Sequence, residues 1–235
     1  MKKKVAISVG DLNGVGIEIA LSSHNIIKEY CEPIYCINNT MLSRASKLLK
    51  IDIPEDFRCS EVDGDFKIDA GQVSAASGLY SYNSFVKAIE LADRKEVDAI
   101  TTMPINKYAW NMAHLKFSGH TDMLRKYFNK EAIMMLGCEQ MYVALFTEHI
   151  PLKDVAKSLH VEALSRFFVD LHKSIGFHNI AVLGLNPHAG DGGVLGDEER
   201  VISEAINAVN SVIGDELFIG PLVPDVAFTP NVRKS

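Results

Sequence analysis

The sequence lacks the features that mark membrane, secreted and nucleic-acid-coating proteins. No apolar stretch approaches the roughly 18 residues that a membrane-spanning helix needs. The apolar run that follows the lysines at positions 2–4 stops at Gly10, which is too early for a signal peptide. Acidic residues number 30 against 24 basic ones, a net charge of −6, so no global positive field attracts nucleic acid. We expect a cytoplasmic protein with neither a membrane nor a nucleic-acid partner.

Cysteine is also scarce, and its spacing excludes the usual structural uses. No Cys-x-x-Cys pair or zinc-knuckle spacing is present. We therefore expect reduced thiols that pack as small hydrophobic side chains. The four cysteines are Cys31, Cys36, Cys59 and Cys138.

What the sequence does contain is the composition and patterning of a soluble α/β protein. Apolar residues make up 47% of the 235 residues and charged residues 23%, enough for one large or two small domains. Short apolar runs, rich in β-branched residues, alternate with amphipathic segments such as 79–89 and 197–213. This alternation predicts an α/β fold with strands buried on both faces of a parallel or mixed sheet. The predicted strands are 5–9, 34–37, 97–102, 132–136, 142–147 and 180–185.

The pattern is interrupted near the middle of the chain. Pro104 and the turn at Ser118 and Gly119 break the alternation there, as expected at a domain junction. We predict a first α/β domain over 1–112 and a second over 113–235.

A glycine-rich turn, residues 10–18, follows the first predicted strand. Such a turn lets backbone N–H groups approach an anion at a helix N-terminus. It has neither the spacing of the dinucleotide-binding fingerprint nor a Walker Gly-Lys-Ser/Thr. Two interpretations stay open, namely a ligand contact or a tight turn that needs glycine.

Two polar clusters follow in the central part of the chain. The polar segment 101–107 comes at the end of a predicted strand, and its Lys107 would serve as a phosphate or carboxylate ligand, as a general acid, or only as a solvated lysine. Further on, Gly119, His120 and Thr121 open a helix with backbone N–H groups, an imidazole and a hydroxyl. This combination suits a phosphate site, and the alternative is a structural cap at His120.

Two histidines, His149 and His188, each follow a predicted strand and precede a turn. Neutral imidazoles bind Zn²⁺, Co²⁺ and similar ions, and a catalytic site typically needs three protein ligands with one open position. Only a pair is evident, so hydrogen-bonded structural histidines are the alternative.

These segments, in their order along the chain, resemble the 4-hydroxythreonine-4-phosphate dehydrogenase family of vitamin B6 biosynthesis. The most specific is the run Leu-Asn-Pro-His-Ala-Gly-Asp-Gly-Gly at 185–193. The resemblance implies an isocitrate/isopropylmalate-dehydrogenase-like fold, with two α/β domains flanking a cleft, and a homodimer with the active site at its interface. The matching segments are 7–18, 104–107, 119–122, 147–152, 184–193 and 220–225.

The resemblance also implies an activity and its residues. The family oxidises 4-phosphooxy-L-threonine, a small phosphorylated amino acid, with NAD or NADP and one divalent metal ion (Zn, Mg or Co). Decarboxylation then gives 3-amino-2-oxopropyl phosphate for pyridoxine 5'-phosphate biosynthesis. No residue of this chain is assigned to the nicotinamide cofactor. At the positions that match the family's motifs, the resemblance implies that His149 and His188 are metal ligands. It likewise implies that His120 and Thr121 contact the substrate, and that Lys107 and Asp225 are catalytic groups.

The family continues beyond the segment of Asp225 into a Tyr-His-Asp-Gln-Gly run that bears a third metal histidine, whereas this chain ends at Ser235. We therefore expect a fragment without the family's C-terminal part, which binds metal weakly and turns over poorly. Three alternatives remain open. They are a paralogue that oxidises a threonate or erythronate phosphate, a metal-dependent phosphohydrolase, and an inactive fragment or binding module.

Overall fold

The computed structural model describes residues 1–230, and its contacts divide the chain into two units, Met1–Lys130 and Glu131–Ser235. The predicted alternation of strands and helices is observed, with a parallel sheet in the first unit. The domain boundary after residue 112 stays a prediction, and the contacts place the residues as far as Lys130 with the first unit. Over the described residues, no helix is both long enough and apolar enough to span a membrane.

The first unit is built on a four-stranded parallel sheet in the order β3-β2-β1-β4. Within it, Ile7 of β1 pairs with Tyr35 of β2 and with Thr101 of β4. Because β1 and β4 are parallel neighbours, their carboxyl ends meet, and the loops that follow them lie side by side. The strands are β1 (Lys3–Ser8), β2 (Cys31–Cys36), β3 (Cys59–Ser60) and β4 (Ala99–Thr102).

Five helices complete this unit, and several begin at a side chain that caps them. Asn38, Ser74 and Asn106 each accept hydrogen bonds from backbone N–H groups of the first turn of α2, α3 and α4, respectively, which satisfies donors that a helix start leaves unpaired. The predicted helix over 79–89 lies within α3. The helices are α1 (Gly16–Tyr30), α2 (Asn39–Leu49), α3 (Ala75–Asp93), α4 (Lys107–Met112) and α5 (His120–Phe128).

Over residues 131–230, the second unit has two small sheets instead of one larger sheet. An antiparallel hairpin joins β5 (Met134–Cys138) to β6 (Met141–Leu145), and β7 (Ile180–Leu183) pairs in parallel with β8 (Phe218–Leu222). Its core contains Leu164, Phe168, Ile206, Val209 and Phe218, among others. The helices are α6 (Leu152–Ser158), α7 (Val161–Ser174), α8 (Glu198–Ile213) and α9 (Pro224–Ala227), with a short 3₁₀ segment at Pro187–Gly193.

Burial of the strands departs in part from the prediction. The last three residues of β1 are buried, but β4 is an edge strand with Thr101 and Thr102 exposed, and most of β5 is exposed. An apolar run does not reveal how many neighbours a strand will have. Burial on both faces needs covering layers that come from distant parts of the chain.

The cysteines are free thiols, as predicted. Cys36 is fully buried in the core, and this burial raises its pKa to about 12, so the thiol is unreactive. The prediction of packed thiols is wrong for Cys138, which is exposed at the end of the β5–β6 hairpin.

Candidate active-site residues

The glycine-rich turn after β1 is tight because two backbones meet there. Gly10 has φ +68°, and a Cβ at this position would lie 2.2 Å from the Pro104 carbonyl oxygen. The Asp11 N–H donates to the same oxygen over 3.0 Å. The requirement for glycine is therefore steric, and it brings the turn against the loop that leads to Lys107.

Asn13 holds this turn to a second loop, and sequence reasoning missed it. Its amide nitrogen donates to the Gln72 carbonyl over 2.8 Å, and its side-chain oxygen accepts from the Asp69 N–H over 2.9 Å. The Asn13 carbonyl accepts from the Gly71 N–H over 2.8 Å. The signal in the sequence was a buried asparagine inside a glycine turn, where local hydrogen bonding is common.

Lys107 and the start of α5 lie together. Lys107 is the exposed first residue of α4, directly after the loop from β4. A Cβ built on Gly119 would lie 3.4 Å from its Cε and 3.9 Å from its Nζ. The two polar clusters of the central part of the chain, with Lys107 in one and His120 and Thr121 in the other, thus form one cationic corner of the first unit.

His120 is the second polar group of this corner, and its ring is uncharged at neutral pH. Its Nε2 is buried and has no hydrogen-bond partner in the described part of the chain. Desolvation, assisted by the Lys107 cation, lowers the pKa of His120 to about 4. The cap of α5 is Gly119, without a side-chain hydrogen bond, so the interpretation of His120 as a structural cap is wrong.

Thr121 is half-buried in the first turn of α5, next to an ion pair that orders the turn. The Asp122 carboxylate accepts from the Ser118 N–H over 2.9 Å and lies 3.1 Å from the Lys126 ammonium. The Ser118 hydrogen bond, with help from Lys126, lowers the pKa of Asp122. These contacts fix the peptide that leads into His120 and Thr121.

His188 belongs to a left-handed turn in the second unit. All six residues from His188 to Gly193 have positive φ, and three of them are not glycine. Each such residue costs about 1 kcal/mol or more. The His188 N–H donates to the Asp225 carboxylate over 2.9 Å, and its ring Nδ1 lies 3.3 Å from the same oxygen. The structure therefore brings together two of the predicted site residues.

Glu199, which sequence reasoning missed, anchors this turn from the first turn of α8. The residue is only 9% exposed, and its carboxylate accepts from the Asn186 N–H over 2.7 Å and from the Asn186 side-chain amide over 3.0 Å. Burial raises the pKa of Glu199, but the hydrogen bonds from Asn186 outweigh it and leave the pKa below its usual value. The sequence explained this glutamate by the helix dipole, which favours acidic residues at a helix start. It gave no sign that the carboxylate also accepts hydrogen bonds from Asn186.

His149 is exposed and also has a positive φ, in the loop between β6 and α6. Across residues 1–230, no three His, Cys, Asp or Glu side chains are grouped as a metal site. His188 still has the surroundings of a ligand, because a metal-binding histidine ordinarily gives its other ring nitrogen to a carboxylate or carbonyl. Because the Asp225 carboxylate contacts Nδ1 of His188, the other ring nitrogen, Nε2, could bind a metal ion.

Comparison with known proteins finds close relatives along the whole chain. The family described as "Pyridoxal phosphate biosynthetic protein PdxA" matches residues 29–235. The 4-hydroxythreonine-4-phosphate dehydrogenase of Sulfurimonas denitrificans is 56% identical, covering 99% of this chain and 76% of the relative. The protein of the same name from Campylobacter fetus is 51% identical, covering 98% and 76%, respectively.

Solved structures also superpose on nearly the whole of this chain. A 4-hydroxythreonine-4-phosphate dehydrogenase from Burkholderia phymatum superposes with a TM-score of 0.84 at 29% identity, covering 99% of this chain and 78% of its own. A terephthalate 1,2-cis-dihydrodiol dehydrogenase from Burkholderia xenovorans gives a TM-score of 0.70 at 22% identity, covering 97% and 76%, respectively. This second likeness concerns the fold alone.

Proposed function

The chain belongs to the PdxA family of pyridoxal phosphate biosynthetic proteins, and from that premise we propose that it is a 4-hydroxythreonine-4-phosphate dehydrogenase. The observation that supports the proposal most is 56% identity over 99% of the chain to a relative of that name. The solved family members also bear out the isocitrate/isopropylmalate-dehydrogenase-like fold class expected from the resemblance. The protein acts, by this proposal, as a cytoplasmic homodimer.

The proposed reaction takes 4-phosphooxy-L-threonine as its substrate. The secondary hydroxyl is oxidised to a ketone, with the hydride passing to NAD⁺ or NADP⁺ and the hydroxyl proton to a base. The resulting β-keto acid loses CO₂ to give 3-amino-2-oxopropyl phosphate. The nicotinamide carries the redox chemistry, so the task of the protein is to bind and orient the substrate.

In the first unit, the corner of Lys107, His120 and Thr121 binds the substrate. Lys107 supplies positive charge for the phosphate, and the exposed position of its side chain leaves the ammonium accessible. The backbone N–H groups at the start of α5 add donors where the helix dipole favours an anion. Lys107 is also the proposed general acid, because it ends the loop that follows the carboxyl end of β4, where ligands of α/β folds collect.

In the second unit, His149 and His188 are the proposed ligands of one divalent ion. When bound, such an ion acts as a Lewis acid that stabilises negative charge on the substrate oxygen. Two imidazoles suit zinc or cobalt better than magnesium, which prefers oxygen ligands. The contacts of Asp225 favour a positioning role, in which its carboxylate holds the His188 ring and main chain.

The test is nicotinamide reduction with 4-phosphooxy-L-threonine. This chain is compared with a chimera that carries the C-terminal portion of the longer Sulfurimonas relative, each with added zinc, cobalt or magnesium and with a chelator. We expect chelator-sensitive reduction by the chimera and much less by this chain. His149→Gln should abolish the metal-dependent activity, while the matched change at exposed His178, His178→Gln, should leave it intact.

Other outcomes would contradict the proposal in distinct ways. Reduction with a threonate or erythronate phosphate, but none with 4-phosphooxy-L-threonine, would identify a sugar-acid paralogue. Phosphate release without a nicotinamide would identify a phosphohydrolase. A folded, metal-loaded chimera that is inactive with every substrate would point to a binding module.

A further inference from the structure

The ring of His120 lies in an aromatic box whose walls come from two other helices. Phe85 of α3 meets it edge-on with 4.6 Å between ring centroids, and Trp110 of α4 does so at 5.9 Å. Both walls are 0% exposed. The His120 ring is therefore packed against two rings that are themselves fully enclosed in the first unit.

The box is held in place by a chain of hydrogen bonds. The Trp110 indole N–H donates to the Ser81 hydroxyl over 2.7 Å, and that hydroxyl donates to the Gly78 carbonyl over 2.8 Å. Gly78 in turn allows close packing, because a Cβ there would lie 2.2 Å from the Ala109 carbonyl oxygen. The orientation of the Trp110 ring is thus fixed by the hydrogen bond to Ser81 and by the close packing of α4 on α3 at Gly78.

The surroundings of His120 disfavour a positive charge on its ring. From α3 the ring meets Phe85, and from α4 it meets Trp110 and the electrostatic influence of the Lys107 cation. On its own helix, Asp122 is already engaged by the Ser118 N–H and by Lys126. An imidazolium in the box would face apolar rings and a nearby ammonium, without a polar partner for Nε2.

We propose that Ser81, Phe85 and Trp110 are positioning residues that keep His120 uncharged, so that His120 offers the substrate a neutral hydrogen bond while Lys107 provides the positive charge. The inference rests on the proposed function only in taking the ligand of this corner to be phosphorylated. It follows that the two side chains have different roles. Lys107 contributes most of the affinity for the anion, and His120 orients the ligand without adding charge.

The first test is an NMR titration of the histidine rings in the whole chain, with the His120 signal assigned by its loss in His120→Gln. Free imidazole in the same tube serves as the pH reference. We expect no titration of His120 between about pH 8 and pH 5.5. Phe85→Ala, which opens the box to water, should move the titration upward into that range. A wild-type His120 that titrates between about pH 6 and pH 7 would overturn the proposal, whether or not the variants fold.

The second test measures binding of inorganic phosphate by calorimetry. Lys107→Gln should weaken binding by roughly tenfold or more, as expected for a hydrogen bond to a charged group, and His120→Gln by only a few fold. Lys116→Gln, at an exposed lysine outside this corner, is the matched control and should have no effect. A smaller effect of Lys107→Gln than of His120→Gln would contradict the proposed difference in roles.

A third readout separates this inference from the proposed function. In the active chimera, His120→Gln should retain more activity than His120→Leu, because a neutral side chain that forms hydrogen bonds replaces the imidazole, and the loss should lie in KM rather than in kcat. If the chimera lacks dehydrogenase activity while the titration and phosphate results hold, the proposed function fails and the neutral role of His120 stands. Equal loss in both variants would contradict that role.

Discussion

In the first unit His120 is held by packing, whereas in the second unit His188 is held by hydrogen bonds. The His120 ring lies against buried aromatic side chains and has a buried, unpartnered Nε2. His188 is exposed, lies in a left-handed turn and contacts a carboxylate through both its main chain and its ring. Packing keeps the first histidine neutral, while hydrogen bonding leaves the second accessible to a ligand.

The difference shows that the two units stabilise their histidines through different interactions. A packed histidine depends on the tight fit of the helices around it, so the first unit is expected to be sensitive to small changes of volume. A strained turn depends on a few strong hydrogen bonds, so the second unit is expected to be sensitive to the loss of a single buried acceptor. Three predictions test this comparison.

The largest effect is expected from Gly78→Ala in α3. Alanine ordinarily stabilises a helix interior by roughly 0.5–1 kcal/mol relative to glycine. Here the new Cβ would lie 2.2 Å from the Ala109 carbonyl oxygen, so α3 and α4 must separate. We expect a net loss of about 2–3 kcal/mol, measured by urea unfolding with the fluorescence of Trp110, the single tryptophan of the chain.

The control for this substitution is Leu79→Ala, at the neighbouring residue on the exposed face of the same helix. It should change the free energy of unfolding by only about 0.5 kcal/mol. If Gly78→Ala were neutral or stabilising, helix propensity would outweigh packing, and the account of the first unit would be wrong.

A somewhat smaller effect is expected from Glu199→Leu in the second unit. It leaves the Asn186 N–H without its buried acceptor, at a cost of about 2 kcal/mol, whereas the Asn186 side-chain amide keeps its hydrogen bond to Glu198. Hydrogen exchange measured by mass spectrometry on peptides that cover 184–196 should become roughly thirtyfold faster. Glu204→Leu, at an exposed glutamate on the same helix, should leave this exchange unchanged, and equal protection in both variants would show that the turn does not need its anchor.

The smallest effect concerns pH and the first unit. Because the pKa of His120 is lowered from 6.5 to about 4, the native state binds fewer protons than the unfolded state between these values. The contribution of His120 to stability is therefore complete above about pH 6.5 and is lost as the pH falls towards 4. The carboxyls of Asp98 and Asp122, whose pKa values are lowered by their hydrogen bonds, lose their contributions at lower pH.

The measurement is the melting temperature of the first unit, followed by Trp110 fluorescence across this pH range. The wild type should lose more stability than His120→Gln between about pH 6.5 and pH 4.5, because glutamine cannot take up a proton there. If the melting temperatures of the two proteins fell equally with pH, His120 would not be buried in its neutral form.

Several elements could be predicted from the sequence, and the reasons are local. The segment that became β1 is a short β-branched run that ends at glycine, and the acidic residues at 197–199 announce the start of α8. β8 was missed because Gly220 and Pro221 lie inside it, and strand rules place such residues at edges and bulges. β3 was missed because two residues form no pattern.

Family membership, the α/β class and the candidate histidines were available from the sequence by itself, since they depend on motifs and periodicities within about ten residues. The charge of His120, the partner of His188 and the anchor Glu199 were decided only by the tertiary structure. Phe85 lies 35 positions from His120, and Asp225 lies 37 from His188. Desolvation and hydrogen bonding act through space, and no pattern along the chain records which distant side chains will meet.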